Sequence, residues 1–167
     1  EDIIQLSQLE ESDDEDMSFE SVNLYEIAQR CVEALNINAI NKCVTLNLTG
    51  EECYIRGKAQ LVEELVYNLC DNAIRYNKEN GNVTVTVNPL EKGASVSVKD
   101  TGIGIPEKYQ ERIFERFFRV DKSRSKATGG TGLGLAIVKH ITQLHDAKLE
   151  ISSEEGKGTE IIVTFKD

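Results

Sequence analysis

Two asparagines and an arginine share one side of the segment from Gln60 to Asn77. Asn68, Asn72 and Arg75 are four and then three residues apart, a spacing that puts side chains on one face of a helix. Asparagine is unfavourable inside a helix unless its amide has a task. Either both amides face water, or they ligate a Mg²⁺ ion that also holds phosphates, because an amide oxygen is a hard, neutral ligand. In the second case Arg75 adds a positive charge beside those phosphates.

A carboxylate opens the first of two glycine clusters, which reads Asp100-Thr-Gly-Ile-Gly-Ile-Pro. Asp100 ends a predicted strand, where its carboxylate can accept a hydrogen bond from the exocyclic amine of adenine. Guanine has a carbonyl at that position, so this contact would select adenine. Gly102 and Gly104 would let the backbone approach a ring and adopt unusual φ angles. The alternative is an ordinary turn with Asp at its first position.

The second glycine cluster, Thr128-Gly-Gly-Thr-Gly-Leu-Gly, comes directly before an amphipathic helix predicted over 135–144. Backbone N–H groups at a glycine-rich helix N-terminus form a ready anion site. A flexible linker is the alternative, but a linker would not lead straight into such a helix. The segment from Lys108 to Lys126 contains seven bases, and Val120 to Thr128 is predicted to be a mobile lid over a phosphate site.

Other phosphate-binding motifs do not fit these glycines. The chain has no Gly-x-x-x-x-Gly-Lys-Ser/Thr run, no His-Arg-Asp and no Asp-Phe-Gly. When the dinucleotide fingerprint is started at Gly130, its last glycine falls on Leu135. Three phenylalanines, Phe114, Phe117 and Phe118, lie between the clusters at spacings that are also compatible with a simple core role.

Composition and charge suit one cytosolic domain of 167 residues with an aliphatic core and no tryptophan. The net charge of −10 comes largely from the first 20 residues, which hold nine acids and no base. That stretch is interpreted as a solvated linker. An acidic pI normally argues against nucleic acid, but here it mostly describes one end, since the rest of the chain has 20 acids and 19 bases. Four cysteines without Cys-x-x-Cys spacing favour reduced thiols over a zinc site. The chain begins without Met, so a fragment of a longer protein is expected.

Hydrophobic periodicity predicts an α+β fold in which helices layer on one sheet. Helices are predicted over 24–35, 60–77 and 135–144, the first capped by Asn23. Strands are predicted over 18–22, 44–48, 53–56, 83–87, 94–99, 148–152 and 159–165.

Four segments together resemble the motifs of sensor histidine kinases, in the family's order and spacing. They are the asparagine box at 68–77, the first glycine box at 100–106, the phenylalanine box at 113–121 and the second glycine box at 129–137. The likeness covers residues 18 to 166. It implies the Bergerat ATP-binding fold: a two-layer α/β sandwich with a mixed, mostly antiparallel sheet, helices on one face and a mobile ATP lid.

The resemblance also implies roles for individual residues, with ATP and Mg²⁺ as cofactors. Asn72 matches the Mg²⁺ ligand, Asp100 the residue that reads adenine, and Arg119 the arginine that reaches the γ-phosphate. Asn68 and Arg75 join Arg119 as the catalytic set, although the family often has Lys at the position of Arg75. The implied nucleotide contacts are Asn68, Asn72, Arg75, Tyr76, Asp100, Gly102, Gly104, Ile105, Arg119, Gly130, Thr131, Gly132, Leu133, Gly134 and Thr159.

The family's phosphoacceptor histidine has no match here. His140 is predicted to be an exposed helix residue and His145 a helix-end residue, neither in the acceptor's context. Residues 1–17 look like the end of a dimerisation helix and an acidic linker, and 18–167 like the catalytic domain. The expected function is therefore transfer of the γ-phosphoryl group to a histidine on a separate dimerisation domain.

The same resemblance implies partners and location. They are a response regulator, a homodimeric full-length sensor and a cytoplasmic position in a membrane-anchored protein, with the isolated chain monomeric. Two alternatives remain open at this point: a gyrase-type hydrolase, which would have a glutamate base in place of Asn68, and a non-catalytic nucleotide-binding interaction module.

Overall fold

The computed structural model describes residues 18–118 and 133–166, where three helices, seven strands and two 3-10 turns follow one another. The predicted lid at 120–128 and the segment 1–17 lie outside the described residues. The strands are β1 (Glu20–Asn23), β2 (Thr45–Gly50), β3 (Tyr54–Gly57), β4 (Asn82–Leu90), β5 (Gly93–Asp100), β6 (Lys148–Glu154) and β7 (Gly158–Phe165). The helices are α1 (Leu24–Asn41), α2 (Ala59–Arg75) and α3 (Gly134–Leu144), and the 3-10 turns are Glu107–Tyr109 and Arg112–Phe114.

Five strands form the main sheet in the order β2-β4-β5-β7-β6. The β2–β4 pair is parallel because the chain between these strands crosses over through β3 and α2, whereas the β4–β5 and β6–β7 hairpins and the β5–β7 pair are antiparallel. The predicted mixed, mostly antiparallel sheet is therefore confirmed. A second sheet, formed by β1 and β3 alone, is not foreseen by the sequence patterns.

One face of the main sheet is apolar and the other is not, as strict alternation along the strands requires. Val83, Val85 and Val87 of β4 are fully buried, while Thr84 and Thr86 between them are half-buried. The helices cover the apolar face and complete an aliphatic core, and Phe165 is the one aromatic side chain among its largest fully buried members in the described residues. The α+β architecture with helices on one face of the sheet is confirmed.

The first helix begins as predicted but runs further. Asn23 is its N-cap and accepts a hydrogen bond at Oδ1 from the backbone N–H of Glu26 (3.2 Å). The helix continues to Asn41, six residues past the predicted end, and its last turns pack on the core through Ala39. The sequence pattern misses this extension because the apolar residues Ile37 and Ile40 are exposed and do not follow the helical periodicity. None of the helices in the described ranges has the length and apolar character needed to cross a bilayer.

The two histidines differ from each other and, in one case, from expectation. His140 is half-buried in α3, so the prediction of an exposed residue is wrong. His145 ends α3 as predicted and is buried, with Nδ1 2.8 Å from the Ile141 carbonyl oxygen and Nε2 accepting from the Lys58 N–H at 3.1 Å. Burial lowers the pKa of His145, and this pair of contacts suits a neutral ring with its proton on Nδ1.

Candidate functional site

A row of polar side chains crosses three neighbouring strands at one end of the helix-covered face. Asp100 on β5 is the register partner of Thr159 on β7, which in turn is the partner of Ser153 on β6. The next row inward on the same face is Val98, Ile161 and Ile151. Between these two neighbouring rows the face of the sheet changes from apolar to polar. A ligand site can open at this boundary, at the edge of the core.

Asp100 is fixed in this row through one oxygen only. Its Oδ1 accepts the backbone N–H groups of Gly102 (2.9 Å) and Thr159 (3.2 Å). Burial raises the pKa of Asp100 from 3.8 to about 6, and these two N–H donors partly oppose that rise. Within the described residues Oδ2 makes no hydrogen bond, so a largely ionised carboxylate presents one open acceptor at neutral pH.

The loop after Asp100 is shaped by its contacts with the protein itself. Ile103 donates its N–H to the carbonyl oxygen of Tyr76 at the end of α2 (3.1 Å). A Cβ on Gly102 would lie 2.4 Å from that same oxygen, and a Cβ on Gly104, whose φ is +70°, would lie 2.1 Å from the Glu154 carbonyl oxygen. The unusual φ predicted for this pair is thus found at Gly104. The close approach of each glycine is to neighbouring backbone, a contact that the sequence does not reveal.

A clamp formed by Ser153 and Gln110 holds the other end of this loop. Ser153 Oγ accepts the N–H of Ile105 (2.8 Å) and contacts Thr159 Oγ1 (2.8 Å). Gln110 Nε2 donates to the carbonyl oxygens of both Ile105 and Ser153, each at 3.0 Å. Neither residue is found by sequence reasoning. The available signal is that Ser153 continues the core-facing alternation of Leu149 and Ile151.

The end of α2 is joined to the same loop by Asn77. Its Nδ2 donates to the Asn82 carbonyl oxygen (3.1 Å), and its Oδ1 lies 3.4 Å from the Thr101 hydroxyl. Thr101 Oγ1 in turn accepts the N–H of Asn82 (2.8 Å). These bonds bring the last residue of the asparagine segment against the start of the first glycine cluster.

Asn68 faces the start of α3. Its Nδ2 donates to the Glu64 carbonyl oxygen one turn earlier in α2 (2.8 Å), which orients its Oδ1 away from the helix backbone. That Oδ1 would lie 3.2 Å from a Cβ placed on Gly134, the first residue of α3. The second glycine cluster therefore ends directly beside the asparagine segment, as an arrangement around one ligand requires.

Asn72 and Arg75 continue the same face of α2. The Asn72 side chain is half-buried and makes no hydrogen bond within residues 18–118 and 133–166, so its amide oxygen fits the role of a metal ligand. Arg75 donates from Nε to Asp71 Oδ2 at 2.9 Å, an i,i+4 ion pair on the helix surface. This ion pair occupies the Nε of Arg75, so that nitrogen does not serve the contact with phosphates predicted for this residue.

Several predicted contacts have no described position. Arg119, Gly130, Thr131 and Gly132 lie outside the described residues. Leu133 is described, and its side chain is buried in the core, where it anchors the start of α3.

The phenylalanine segment is only partly core. Phe114 is half-buried, whereas Phe117 is 56% exposed and has a left-handed φ of 61°. The ring of Phe118 lies 4.5 Å from the Arg112 guanidinium carbon and 5.7 Å from the ring of Tyr109. The simple core role that the spacing allows therefore does not apply to Phe117.

Comparison with known proteins gives a consistent result. The family described as "Histidine kinase-, DNA gyrase B-, and HSP90-like ATPase" matches residues 57–167. The sensor histidine kinase WalK of Bacillus subtilis is 44% identical over 121 residues, which make up 71% of this chain and 20% of that protein. The sensor-like histidine kinase SenX3 of Mycolicibacterium smegmatis is 36% identical over 149 residues, 89% of this chain and 39% of that protein.

Solved structures show the same likeness. The mycobacterial sensor histidine kinase MprB superposes with a TM-score of 0.77 at 27% identity, covering 89% of this chain and 97% of that one. The nucleotide-free catalytic domain of the histidine kinase ThkA superposes with a TM-score of 0.78 at 26% identity, covering 90% and 96%. The chain spans between 20% and 39% of the length of the two curated relatives named here.

Proposed function

Because this chain belongs to the family of histidine kinase-, DNA gyrase B- and HSP90-like ATPases, we propose that it binds ATP with Mg²⁺ and donates the γ-phosphoryl group to a histidine of a separate dimerisation domain. The observation that carries this proposal is the state of Asp100. Two backbone N–H groups hold its Oδ1, and within residues 18–118 and 133–166 its Oδ2 makes no hydrogen bond. An open, preoriented acceptor at the edge of the core suits the exocyclic amine of adenine.

The phosphates would extend from this point towards the start of α3. Asn68 and Gly134 meet there, and Asn72 lies one turn further along α2 on the same face. Asn72 would hold Mg²⁺ through its amide oxygen, and the ion would neutralise charge on the phosphates when bound. Backbone N–H groups at 130–134 would bind phosphate oxygens, and Arg119 would reach the γ-phosphate.

The transferred group leaves the β–γ bridging oxygen of ATP and bonds to a ring nitrogen of the acceptor histidine. This transfer depends mainly on positioning and charge neutralisation, which the chain supplies through side chains that need no bond-making role. His145 is a poor acceptor because both ring nitrogens are engaged and the side chain is buried. His140 lies half-buried in the middle of α3. We therefore propose that the acceptor lies on another segment.

Hydrolysis of the gyrase type is the less favoured activity. Asn68 occupies the position of the catalytic base, and a neutral amide cannot take a proton from attacking water. Its Nδ2 is also committed to the Glu64 carbonyl oxygen. Slow hydrolysis and intact nucleotide binding are the expected combination, and the open Asp100 argues against a module that has lost nucleotide binding.

We further propose that the chain is the cytoplasmic catalytic part of a membrane-anchored sensor. The support is its likeness to proteins named as sensor histidine kinases, of which it spans a minor share. In that setting the full-length protein is a homodimer that passes the phosphoryl group to a response regulator. The isolated chain is expected to be monomeric and to bind no nucleic acid.

The test is labelling with γ-³²P-ATP. The chain alone should bind ATP yet remain unlabelled, and addition of the protein's own dimerisation domain should give acid-labile label on that domain. Arg119→Ala should slow transfer more than it weakens ATP binding, because its charge is needed most as the γ-phosphoryl group departs. Label on His140 or His145 of the isolated chain would contradict a separate acceptor.

A further inference from the structure

Ser153 stands at the centre of a hydroxyl network that touches both sides of the base site. Its Oγ lies 2.8 Å from the Ile105 nitrogen, 2.9 Å from the Gly158 carbonyl oxygen and 2.8 Å from Thr159 Oγ1. The backbone N–H of Thr159 in turn donates to Asp100 (3.2 Å). A residue outside the predicted site thus connects the glycine loop with β7, the strand that carries Thr159.

The number of available protons determines which group donates each hydrogen bond in this network. A serine hydroxyl donates one hydrogen bond and accepts two. The Ile105 N–H can only donate and the Gly158 carbonyl can only accept, so Ser153 accepts from the first and gives its proton to the second. One lone pair then remains, and the Thr159 hydroxyl must donate to it. In the reverse arrangement two oxygens 2.9 Å apart, Ser153 Oγ and Gly158 O, would face each other without a proton.

The consequence for Thr159 is that its proton points away from any ligand. Its Oγ1 can then offer a ligand only lone pairs, at the position directly opposite Asp100 in the β5–β7 register. Gln110 donates to the carbonyl oxygens of both Ile105 and Ser153 and so keeps the loop against β6. This holds the Ile105 N–H in position to donate to Ser153 Oγ. The base edge is therefore lined by two acceptors, which suit an amine and repel a carbonyl.

We propose that Ser153 is a specificity-determining positioning residue, which fixes the Thr159 hydroxyl as an acceptor and so makes the site reject purines with a carbonyl at carbon 6. This inference rests on the proposed function, since it concerns the same ATP site. It adds a residue that touches no ligand and acts through Thr159.

The experiment compares the dissociation constants of Mg-ATP and Mg-ITP, which differ at carbon 6 and in the accompanying proton at nitrogen 1. Wild type should prefer ATP. In Ser153→Ala the Thr159 hydroxyl loses its acceptor and becomes free to donate to the carbonyl of ITP. The ATP-to-ITP preference should then fall about fivefold, in the range expected for one hydrogen bond. Ser153→Thr, which keeps a hydroxyl, should retain the preference.

Ser152→Ala is the matched control, because Ser152 is the neighbouring exposed residue on the opposite face of β6. It should leave both constants unchanged. A Thr159→Val chain has no hydroxyl to orient, so adding Ser153→Ala to it should not change the preference further.

Two results would contradict this inference, and they differ in what they mean for the proposed function. If Ser153→Ala weakens ATP and ITP by the same factor, Ser153 is only a structural clamp and the inference is overturned while the proposed function stands. If wild type binds no ATP, the proposed function and the inference are both overturned.

Discussion

The two ends of the proposed nucleotide site are built in different ways. At the base end, Asp100, Thr159 and Ser153 are aligned by strand register and joined by hydrogen bonds to one another and to the backbone. At the phosphate end, side chains come from one helix and meet the start of another, and the side chain of Asn72 has no hydrogen bond in the described part of the chain. The base end is preorganised by the fold, whereas the phosphate end includes an amide, that of Asn72, which can still bind a ligand or a metal ion.

Substitutions at the two ends should therefore differ in whether they affect folding or the binding of ligand. Changes at the base end disturb bonds that exist without nucleotide. At the phosphate end, the Asn72 side chain has no hydrogen bond within the described residues, so the free protein should tolerate its loss.

The largest expected effect is on phosphoryl transfer in Asn72→Ala. Loss of the amide oxygen that would hold Mg²⁺ should reduce transfer to the dimerisation domain by more than about 100-fold, since charge neutralisation is the main catalytic term. The unfolding temperature without nucleotide should match wild type, because the side-chain amide has no hydrogen bond to lose among the described residues. Asn47→Ala, on an exposed strand position, is the control. Transfer within a few-fold of wild type would show that Asn72 is not the metal ligand.

A second contrast uses one glycine from each end. Gly104→Ala places a Cβ 2.1 Å from the Glu154 carbonyl oxygen at a φ of +70°, so we expect several kcal/mol of destabilisation or failure to fold. Gly134→Ala places a Cβ 3.2 Å from Asn68 Oδ1, an atom of a side chain and not of the backbone, at the first residue of α3, where alanine is compatible with a helix. It should fold normally and bind ATP less tightly. Urea unfolding and calorimetric titration of both variants check this, and equal stability losses would contradict it.

The sequence predicts features whose signals are local, at both ends of the site, and misses contacts between distant segments. Helices, strands and the polar positions Asn68, Asn72, Asp100 and Thr159 follow from periodicity and from the family motifs, because these signals are local in sequence. Ser153 and Gln110 are missed because their roles arise from the β6–β7 register and from a loop that returns to it, 43 residues apart for the Gln110–Ser153 bond. The backbone contacts of Gly102 and Gly104 are missed for the same reason. Sequence reveals that glycine is present, and the packing reveals what it approaches.

Asp100→Asn should separate binding from stability at the base end. The amide introduced by this substitution must turn its oxygen to the N–H groups of Gly102 and Thr159, so its NH₂ group faces the adenine amine. We expect about 10- to 100-fold weaker ATP binding, from the loss of a charge-assisted hydrogen bond. The unfolding temperature at pH 7.5 should be equal to or above that of wild type, because an ionised Asp100 with a raised pKa opposes folding. A clear loss of stability together with unchanged affinity would reverse this assignment.

The same carboxyl imposes a pH dependence on stability and on binding, and its change in binding is the smallest expected effect. The pKa of Asp100 is about 6 in the folded chain and 3.8 in the reference state. A raised folded-state pKa means that protonation favours folding, so this contribution to stability is complete below pH 3.8 and is lost as the pH rises through 6. The loss is of the order of 3 kcal/mol by the difference between the two pKa values.

Binding should change with pH in the opposite direction, because the ionised form accepts the adenine amine. Between pH 7.5 and 5.5 the ionised fraction falls from about 97% to about a quarter, so ATP affinity should drop about fourfold through this group. The phosphates of ATP also titrate in this range, and Asp100→Asn, measured at the same pH values, corrects for them. The expected result is a wild-type decrease about fourfold larger than that of the variant. Parallel curves for the two proteins would mean that Asp100 does not contact the base through its ionised oxygen.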